Sequence, residues 1–388
     1  MIQLNRFLST ALRISVLVIF CACSPSSSGT KGKIGMTCMD LTNPYFKLIA
    51  TIMQEEASKY DYELVALSGD QDAAKQNNQM ADFVAQGYAA IFLNPVDSKS
   101  AGEGVKRAHD AGVPVFTFDV QVTDEEASKL IESHIGSDNF QGGRLAGKSM
   151  MEVTRDQGKI AILSLPRITS CILRVNGFKD YLKENNSMLE IVAELSGEGN
   201  RDDGYTVTTD ILQAHPDIVA IFAINDPSAL GAWQAISEAN KTDVIKIVGF
   251  DGERAGKQAI LEGKIYADPI QFPQKMGVEI MKKILAFQAG EDYEKLELIP
   301  TSLYKKADAE KDPELQEGRR SFGEDADVEQ QGVIGYSAMS LKNPFFVVIR
   351  DSLTAAGAEN GYKVITTDAD SDVNKQANLK EQAPKQGE

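Results

Sequence analysis

Polar residues that could hold a hydroxylated ligand stand just after several apolar runs of the chain. The residues in this position are Asn43, Asn94, Asp119, Asn225 and Asp251. Each of them alone is also typical of a turn or of a helix N-cap. Carboxylates accept hydrogen bonds from hydroxyl groups, and amides both donate and accept them. Because these residues come from both halves of the chain, they are together suited to bind one polyhydroxylated molecule.

The elements that must position these residues are strands that alternate with helices. The apolar runs predict the strands Lys33–Met39, Glu63–Ser68, Ala89–Asn94, Val113–Phe118, Lys159–Ser164, Leu189–Leu195, Ile218–Ile224, Ile245–Gly249 and Ile265–Ile270. A period of 3.6 residues predicts helices between them, for example Ala73–Gln86, Ser98–Ala111, Ser228–Ala239 and Pro273–Phe287. This alternation favours right-handed βαβ units and parallel sheets.

Nine strands are too many for one compact sheet of ordinary size. The sequence therefore predicts a two-lobed α/β protein with two parallel sheets. In open parallel sheets, ligands bind beyond the carboxyl ends of the strands. The polar residues above follow those ends, so we expect them to line one crevice between the lobes.

Several motifs between about Lys33 and Lys306 carry a resemblance to a known family. They are Asn43-Pro44-Tyr45-Phe46, Asn94-Pro95, Phe118-Asp119, His134-Ile-Gly-Ser-Asp138, Ala223-Ile-Asn-Asp226 and Val248-Gly-Phe-Asp-Gly252. This set resembles the ribose-binding-protein branch of the type I periplasmic binding proteins. The resemblance implies two Rossmann-like parallel-sheet lobes joined by three hinge crossovers, with lobe 1 at about 33–136 and 272–299 and lobe 2 at about 137–271 and 300–306.

The same resemblance implies a sugar held between the lobes, no cofactor, no metal and no catalysis. The implied ligand-binding residues are Asn43, Tyr45, Phe46, Asp119, Arg174, Asn225, Asp251 and Gln271. A surface salt bridge is the alternative role for Arg174, and a place in the hydrophobic core is the alternative for Phe46. The chain departs from the ribose pattern at Val120, where ribose binders have an arginine, and at Gly199, where they have an aromatic residue.

The first 23 residues resemble a bacterial lipoprotein signal peptide. Arg6 and Arg13 precede a short apolar segment, and Cys23 follows in a lipobox-like setting, although Phe20 stands where leucine or valine is usual. We expect Cys23 to be lipidated and residues 24–32 to form a flexible tether; a plain cleaved signal is the alternative. Cys38 and Cys171 remain, and two buried free thiols are favoured over a single disulfide.

The net charge and one rival motif bear on the class of function. A formal charge of −16 argues against nucleic acid as a partner and against electrostatic attraction to anionic lipid. The segment Gly142–Ser149 fits the phosphate-loop pattern G-x-x-x-x-G-K-[ST], and Asp119 or Asp251 could supply a metal-binding aspartate. However, Gln141–Thr154 reads as one continuous amphipathic helix, whereas a phosphate loop should leave a strand directly.

The end of the chain repeats its beginning. Residues 307–331 are acidic and irregular, which predicts a linker. Ile334-Gly335, Met339, Leu341, Asn343-Pro344 and Phe346 then match Ile34-Gly35, Met39, Leu41, Asn43-Pro44 and Phe46 in a constant register. The sequence thus predicts that 332–388 is a truncated second copy of the start of the module.

The sequence as a whole predicts a solute-binding lipoprotein, exported and anchored by its lipid in the periplasm or at the cell surface. It would capture a sugar or polyol and deliver it to the membrane permease of an ABC importer. An exported α/β enzyme or nucleotide-binding protein that uses 142–149 is the alternative of another class. A sugar sensor that feeds a chemoreceptor or sensor kinase is a second binding role.

Overall fold

Short β-branched and aromatic runs form the strands of two separate sheets. The computed structural model describes residues 30–316, 332–338, 350, 353–354 and 362–368. The described chain divides into unit 1, which holds residues 30–136 and Pro273–Leu298, and unit 2, which holds Ser137–Phe272 and residues 299–316. It therefore passes between the units three times. The predicted class, two α/β lobes with mainly parallel sheets, is confirmed.

Unit 1 contains one six-stranded sheet. Its elements are β1 (Gly32–Cys38), α1 (Pro44–Ser58), β2 (Tyr62–Ser68), α2 (Ala73–Ala85), β3 (Ala90–Leu93), α3 (Gly102–Asp110), β4 (Val115–Phe118), the 3-10 helix Ala127–Leu130 and β5 (Ser133–Ser137). A helix Pro273–Ala289 and a strand Leu296–Ile299, numbered α9 and β11 below, complete it. The strand order is β11-β5-β4-β3-β1-β2, and the five strands from β2 to β5 pair in parallel.

Unit 2 contains a second six-stranded sheet. Its elements are α4 (Asn139–Thr154), β6 (Gly158–Ser164), α5 (Thr169–Glu184), β7 (Leu189–Ser196), α6 (Arg201–Ala214), β8 (Ile218–Ala223), α7 (Asp226–Glu238), β9 (Lys246–Val248), α8 (Arg254–Leu261), β10 (Ala267–Ile270), β12 (Ser302–Lys305), α10 (Lys306–Ala309) and α11 (Pro313–Gln316). The order is β12-β10-β9-β8-β6-β7, with β12 antiparallel to β10.

The central strands of both sheets are buried along most of their length. All four residues of β3 and all four of β4 are buried, as are the last five of β6. Continuous apolar runs of this kind are typical of parallel sheets covered by helices on both faces. In unit 2, Phe178 of α5 stacks on Phe222 of β8 with ring centroids 4.6 Å apart. The core of each unit therefore lies between its own sheet and helices.

The sequence did not predict three of the strands. Ser133–Ser137 carries two serines, a histidine and a glycine, so it shows no apolar run, yet all five residues are buried. Two of its polar side chains find partners in unit 1: Ser133 Oγ donates to Glu294 O over 2.7 Å, and His134 Nδ1 lies 2.9 Å from Thr117 Oγ1. The strands β11 and β12 have four residues each and mix apolar with polar residues, so neither shows a continuous apolar run.

The predicted start of the acidic linker, residue 307, lies too early in the chain. Residues up to Gln316 form the short helices α10 and α11, whose Ala309 and Leu315 are buried in the core of unit 2. Tyr304 Oη donates to Asp312 Oδ2 over 2.7 Å, and Lys257 Nζ lies 2.7 Å from Glu314 Oε2. Helices of one turn contain too few residues to show a helical period, so these two helices could not be predicted from the sequence. The rest of the predicted linker, 317–331, lies outside the described residues.

The phosphate-loop pattern of Gly142–Ser149 lies inside the continuous helix α4. The helix begins after Asp138, whose side chain accepts from Gln141 N, so the glycines stand within helical turns and form no loop. A Cβ at Gly143 would collide with the carbonyl of Arg174 on α5, and one at Gly147 would come within 2.9 Å of Phe178 O. The glycines thus allow α4 and α5 to pack backbone to backbone, and the nucleotide-binding reading is wrong for this segment.

Two further strands, β13 (Gly332–Ala338) and β14 (Tyr362–Asp368), pair in parallel with each other. Their register runs from Gly332↔Tyr362 to Ala338↔Asp368, as β1 and β2 run from Gly32↔Tyr62 to Cys38↔Ser68. Most of the predicted repeat lies outside the described residues, so the second copy stays a prediction. The same holds for the signal peptide, for Cys23 and for most of the tether.

Cys38 and Cys171 are both buried and neither forms a disulfide, which confirms the expectation of two buried thiols. Burial raises the pKa of the Cys38 thiol to about 12, so this group is not a reactive nucleophile at neutral pH. Within the described residues, none of the helices has both the length and the apolar character needed to span a bilayer.

The close approach of α4 and α5 yields a prediction about Gly143. Gly143→Ala forces the helices apart because the added methyl group overlaps the Arg174 carbonyl, and overpacking of this kind costs about 1–3 kcal/mol. Urea denaturation measures the loss. Lys148→Ala is the matched control, since Lys148 is on the exposed side of the same helix and should change stability by less than about 0.5 kcal/mol. Equal stability of the Gly143→Ala protein would contradict the tight packing.

Candidate functional site

Asp119 is the centre of the predicted site residues in unit 1. It follows β4 directly, is buried, and has a left-handed backbone with φ 60°. Its Oδ2 accepts a hydrogen bond from Asn94 Nδ2 over 3.1 Å, and Asn94 Oδ1 accepts from Met39 N over 3.1 Å. Asn94 follows β3 in the same way that Asp119 follows β4. The ends of β1, β3 and β4 thus hold this carboxylate in one orientation.

The start of α1 brings the aromatic candidates to Asp119. Asn43 caps this helix by accepting from Tyr45 N over 2.9 Å, and Pro44 follows at its first position. Tyr45 and Phe46 are both buried, with their ring centroids 5.4 Å apart in an edge-to-face arrangement. Tyr45 Oη lies 3.5 Å from Asp119 Oδ1, which is longer than a strong O–H···O hydrogen bond. The structure therefore brings together Asn43, Tyr45, Phe46 and Asp119 within unit 1.

Arg174 is the centre of the predicted site residues in unit 2. It lies on α5, its side chain is 4% exposed, and its Nη1 donates to Asp251 Oδ1 over 2.8 Å and to Ile224 O over 2.7 Å. Its Nε donates to Asn139 Oδ1 over 2.8 Å, and its guanidinium lies 3.9 Å from the centroid of the Phe250 ring. The surface salt bridge considered for Arg174 is therefore wrong. Removing one partner of such a buried pair costs about 3–5 kcal/mol.

Asp251 joins Arg174 to Gln271. Asp251 follows β9 with φ 101°, a strained value for a residue other than glycine. Gln271 Nε2 donates to Asp251 Oδ1 over 2.6 Å, and Gln271 N donates to Asp251 O over 2.8 Å. Gln271 Oε1 is buried and accepts no hydrogen bond from the described residues. Since an unsatisfied buried acceptor costs free energy, this oxygen is suited to accept a hydrogen bond from a ligand.

Asn225 lies at the end of β8 and caps α7. Its Oδ1 accepts from Ser228 N over 3.1 Å, and its Nδ2 donates to Gly199 O over 2.8 Å. Gly199 has φ 69°, and a Cβ there would lie 3.1 Å from Leu165 Cδ2. The left-handed backbone gives Gly199 a conformational role, since other residues rarely adopt it. Asn225 thus caps a helix, which is the alternative role that its residue type suggests, and its contact with the ligand stays a prediction.

Three positioning residues were not among the ligand-binding residues that the family resemblance implies. Asn94 is one of the polar residues at strand ends, and its role in the structure is to orient Asp119. Asn139 and Phe250 hold Arg174 through a hydrogen bond and a ring face. Phe250 precedes Asp251 in the Val248–Gly252 motif, so the sequence does point to it. The role of Asn139 is visible only in the structure, where α4 packs against α5.

A cavity of about 470 Å³ in unit 1 has none of the predicted site residues in its wall. It is lined by Thr117, Gln121, Val122, Ser128, Lys129, Ile131, His134 and Lys295. Burial lowers the pKa of His134 to about 3, so this imidazole is neutral at physiological pH. No cluster of three or more His, Cys, Asp or Glu residues within the described ranges is arranged to hold a metal ion.

The polar residues of the two units suit an uncharged ligand rich in hydroxyl groups. In unit 2 the charge of Arg174 is neutralised by Asp251, and in both units carboxylate and amide oxygens are held rigidly at strand ends. Aromatic rings stand beside them in both units: Tyr45 and Phe46 in unit 1, Phe250 in unit 2. Each unit, taken by itself, thus offers acceptors, donors and ring faces.

Comparisons with known proteins agree with this geometry. The family model for the periplasmic binding protein domain matches residues 34–292. The ribose import binding protein of Salmonella typhimurium is 34% identical over 280 residues, which cover 70% of this chain and 92% of the relative.

Two solved structures of solute-binding proteins are also similar. An ABC transporter solute-binding protein from Bacillus halodurans with bound myo-inositol has a TM-score of 0.67 at 28% identity, covering 74% of this chain and 98% of its own. A carbohydrate transporter solute-binding protein from Agrobacterium radiobacter in complex with D-arabinose has a TM-score of 0.68 at 28% identity, covering 74% and 97%. Both the fold and the sequence thus show that this chain belongs to the periplasmic binding protein family, in its ribose-binding-protein-like branch.

Proposed function

We propose that this protein binds a neutral sugar or polyol and delivers it to the permease of an ABC importer. The observation that carries the proposal is the buried group of Arg174, Asp251 and Gln271, in which one amide oxygen still lacks a donor. A sugar hydroxyl could donate a hydrogen bond to Gln271 Oε1. This bond would satisfy the buried oxygen and would compensate for the hydrogen bond to water that the hydroxyl loses on binding. No charge on the ligand is needed, because the ion pair is already complete.

In this proposal the ligand takes hydrogen bonds from residues of both units. Asn43 and Asp119 would contribute an amide and a carboxylate, while Asn225, Asp251 and Gln271 would contribute further polar atoms. Tyr45 and Phe46 would offer ring faces to the C–H face of the sugar. Relatives that are named for ribose import and structures with bound D-arabinose or myo-inositol support this class of ligand.

We further propose that the favoured ligand is not ribose. Val120 carries no donor, so the bidentate contact that an arginine makes with a sugar is lost at this position. Gly199 has no ring, and its positive φ means that the local backbone would disfavour an aromatic side chain. A larger space with one fewer positive charge suits another pentose, a hexose, a polyol or a deoxy sugar.

Delivery to a permease requires the protein to work outside the cytoplasm. The proposed lipid on Cys23 would keep it at the membrane, since two acyl chains anchor firmly where one does not. Membership of the periplasmic binding protein family supports export. Binding without catalysis is part of this proposal, and the helical state of Gly142–Ser149 removes the segment on which the enzyme alternative depended.

The first prediction for this function concerns the two carboxylates. Asp119→Ala and Asp251→Ala should each weaken sugar binding by at least about tenfold, because ligand hydroxyls lose a buried acceptor. Isothermal titration with ribose, D-arabinose and myo-inositol measures the change. Asp251→Ala also leaves Arg174 without its partner, so Asp251→Asn is needed as a variant that keeps a hydrogen-bonding side chain of the same shape.

Lys148→Ala is the control for these titrations, since Lys148 is exposed on α4 and belongs to the phosphate-loop pattern. It should bind sugar as the unchanged protein does. If Lys148→Ala lost sugar binding with its fold intact, or if both aspartate variants kept full affinity, the proposed site would be wrong.

The second prediction concerns the choice of sugar. We expect ribose to bind about ten- to a hundredfold more weakly than the best ligand in a panel, because one charge-assisted hydrogen bond is worth about 1.5–3 kcal/mol. The panel contains ribose, D-arabinose, D-allose, D-fucose and myo-inositol, and each is titrated under the same conditions. Ribose as the tightest ligand, at submicromolar affinity, would show that Val120 and Gly199 do not disfavour it.

A further inference from the structure

The cavity of unit 1 lies beside the strand from which the chain leaves for unit 2. Phe116 of β4 packs against Phe287 of α9, so the next residue, Thr117, points to the opposite face of the sheet. Helices normally cover both faces of a parallel sheet, but the helix that follows β5, α4, belongs to unit 2. The segment 121–131, with its short 3-10 helix, supplies much of the cavity wall instead, and a space of about 470 Å³ remains open beside Thr117 and His134.

Thr117 and His134 form the floor of this cavity, which is polar and deeply buried. Thr117 is 1% exposed and His134 is 7% exposed, and His134 Nδ1 lies 2.9 Å from Thr117 Oγ1. No group in the described part of the chain forms a hydrogen bond with the other ring nitrogen, His134 Nε2. A Cβ at Gly136 would lie 2.7 Å from this nitrogen, so glycine at that position leaves it uncovered. Because the imidazole lines the cavity, a ligand can supply the hydrogen bond that Nε2 lacks.

The charge state of His134 decides which part of a ligand can bind to the floor. Burial lowers the pKa of this imidazole to about 3, so the ring is uncharged at neutral pH and carries one proton on either nitrogen. The Thr117 hydroxyl can donate to Nδ1 or accept from it, which leaves Nε2 as donor or as acceptor. A ligand hydroxyl matches either state, because it both donates and accepts. A carboxylate matches the floor less well, because it would be buried there without a counter-charge.

The sides of the cavity are apolar and its mouth is basic. Val122 is buried and Ile131 packs against the same hydrophobic cluster of unit 1, so both offer a carbon surface. Lys129 and Lys295 line the mouth with side chains that are 67% and 66% exposed. None of the described residues in the wall is acidic. A ligand with a carbon body and one negative charge therefore makes the fullest use of this wall.

The two lysines can leave their present partners at little cost. Lys129 Nζ lies 2.8 Å from Glu126 Oε1, and Lys295 Nζ lies 3.1 Å from Glu132 Oε2. Ion pairs between exposed side chains contribute little to stability, because water solvates both charges. Glu126 is 70% exposed, and Tyr293 Oη donates to Glu132 Oε2 over 2.9 Å. Each glutamate thus keeps a hydrogen-bonding partner, water or tyrosine, when its lysine turns to a ligand.

We propose that this cavity binds a small hydroxycarboxylic acid. The carboxylate lies at the mouth beside Lys129 and Lys295, the carbon body packs on Val122 and Ile131, and the hydroxyl forms a hydrogen bond with His134 Nε2. A volume of about 470 Å³ is within the range of small-molecule sites. An uncharged sugar would leave both lysines unused. The assignment does not depend on the sugar-binding function proposed above, since it uses none of the residues of that site.

The test follows the imidazole of His134 by nuclear magnetic resonance in the full chain with isotope-labelled histidine. The chain has three histidines, of which His109 is exposed and His215 half-buried. The ring signals of His134 are recognised because they do not titrate in the range of ordinary histidines. We expect 4-hydroxybenzoate to shift them with a dissociation constant below about 1 mM, while the other two rings keep their signals. No saturable shift of the His134 signals up to about 10 mM acid overturns the proposal.

Two analogues separate the two ends of the acid. Benzoate lacks the hydroxyl that meets His134, and 4-hydroxybenzamide lacks the charge that meets the lysines. Each should bind at least about fivefold more weakly than 4-hydroxybenzoate, because each loses one hydrogen-bonding end. Equal affinity for 4-hydroxybenzamide would show that the ligand is not an anion and would overturn the proposal. Displacement of the acid by ribose, D-arabinose or myo-inositol would also overturn it, because the acid would then occupy the proposed sugar site.

Variants of the wall locate the bound acid. Lys129→Ala and Lys295→Ala should each weaken binding of 4-hydroxybenzoate by about fivefold, because each removes a charge at the mouth. Lys33→Ala is the matched control, since Lys33 is an exposed lysine of unit 1 that pairs with Glu63 over 3.0 Å away from the cavity wall. Ile131→Trp fills the cavity and should abolish binding.

The lysine variants change exposed side chains, so they decide the matter even if Ile131→Trp does not fold. If both of them bind 4-hydroxybenzoate as tightly as Lys33→Ala does, the acid is not held at this mouth and the proposal is wrong. Sugar titrations of the same variants keep the two functions apart. A chain that binds the acid with the expected dependence on Lys129 and Lys295 but binds no sugar supports the cavity assignment and contradicts the sugar-binding function.

Discussion

An arginine buried against an aspartate is the interaction on which the candidate site of unit 2 depends. Arg174 needs a charged partner, hydrogen-bond acceptors and a ring face, and it finds them in Asp251, Ile224 O, Asn139 and Phe250. These partners come from α4, from the ends of β8 and β9, and from the loops that follow. Because a charge in the interior is stable only when its partners are complete, each of these elements has to arrive at the same place. The glycines of α4 serve this requirement, since they let that helix approach the backbone of Arg174 itself.

Completing the ion pair inside the protein has a chemical consequence. A site whose charges are already neutralised gains little from a charged ligand, but it presents oriented donors and acceptors at little cost in reorganisation. Asp251 and Gln271 are oriented in this way in unit 2, and Asn94 orients Asp119 in unit 1. The orienting residues are mostly other polar side chains, which limits how far a mutation at one of them can be compensated.

Several features of the fold could not be predicted from the sequence, each for a physical reason. The strand Ser133–Ser137 is buried although it is polar, because Glu294 O and Thr117 satisfy Ser133 and His134. The helices α10 and α11 are shorter than two helical turns, so no period could reveal them, although Ala309 and Leu315 complete the core of unit 2. From the sequence alone, Arg174 could equally be a surface residue, because none of its partners is adjacent to it in the chain. Those partners are distant in sequence and meet it only across α4, β8 and β9.

The sequence by itself determined the class of fold and the positions of the polar residues at the strand ends. This was possible because burial of a parallel sheet demands continuous apolar runs, and because each run ends where a polar residue begins. The tertiary structure decided which polar residues act together: Asn94 with Asp119, and Arg174 with Asp251 and Gln271. Pairing of this kind depends on distances between side chains of different elements. Local sequence carries no record of such distances, whereas the close packing of each sheet against its own helices sets them.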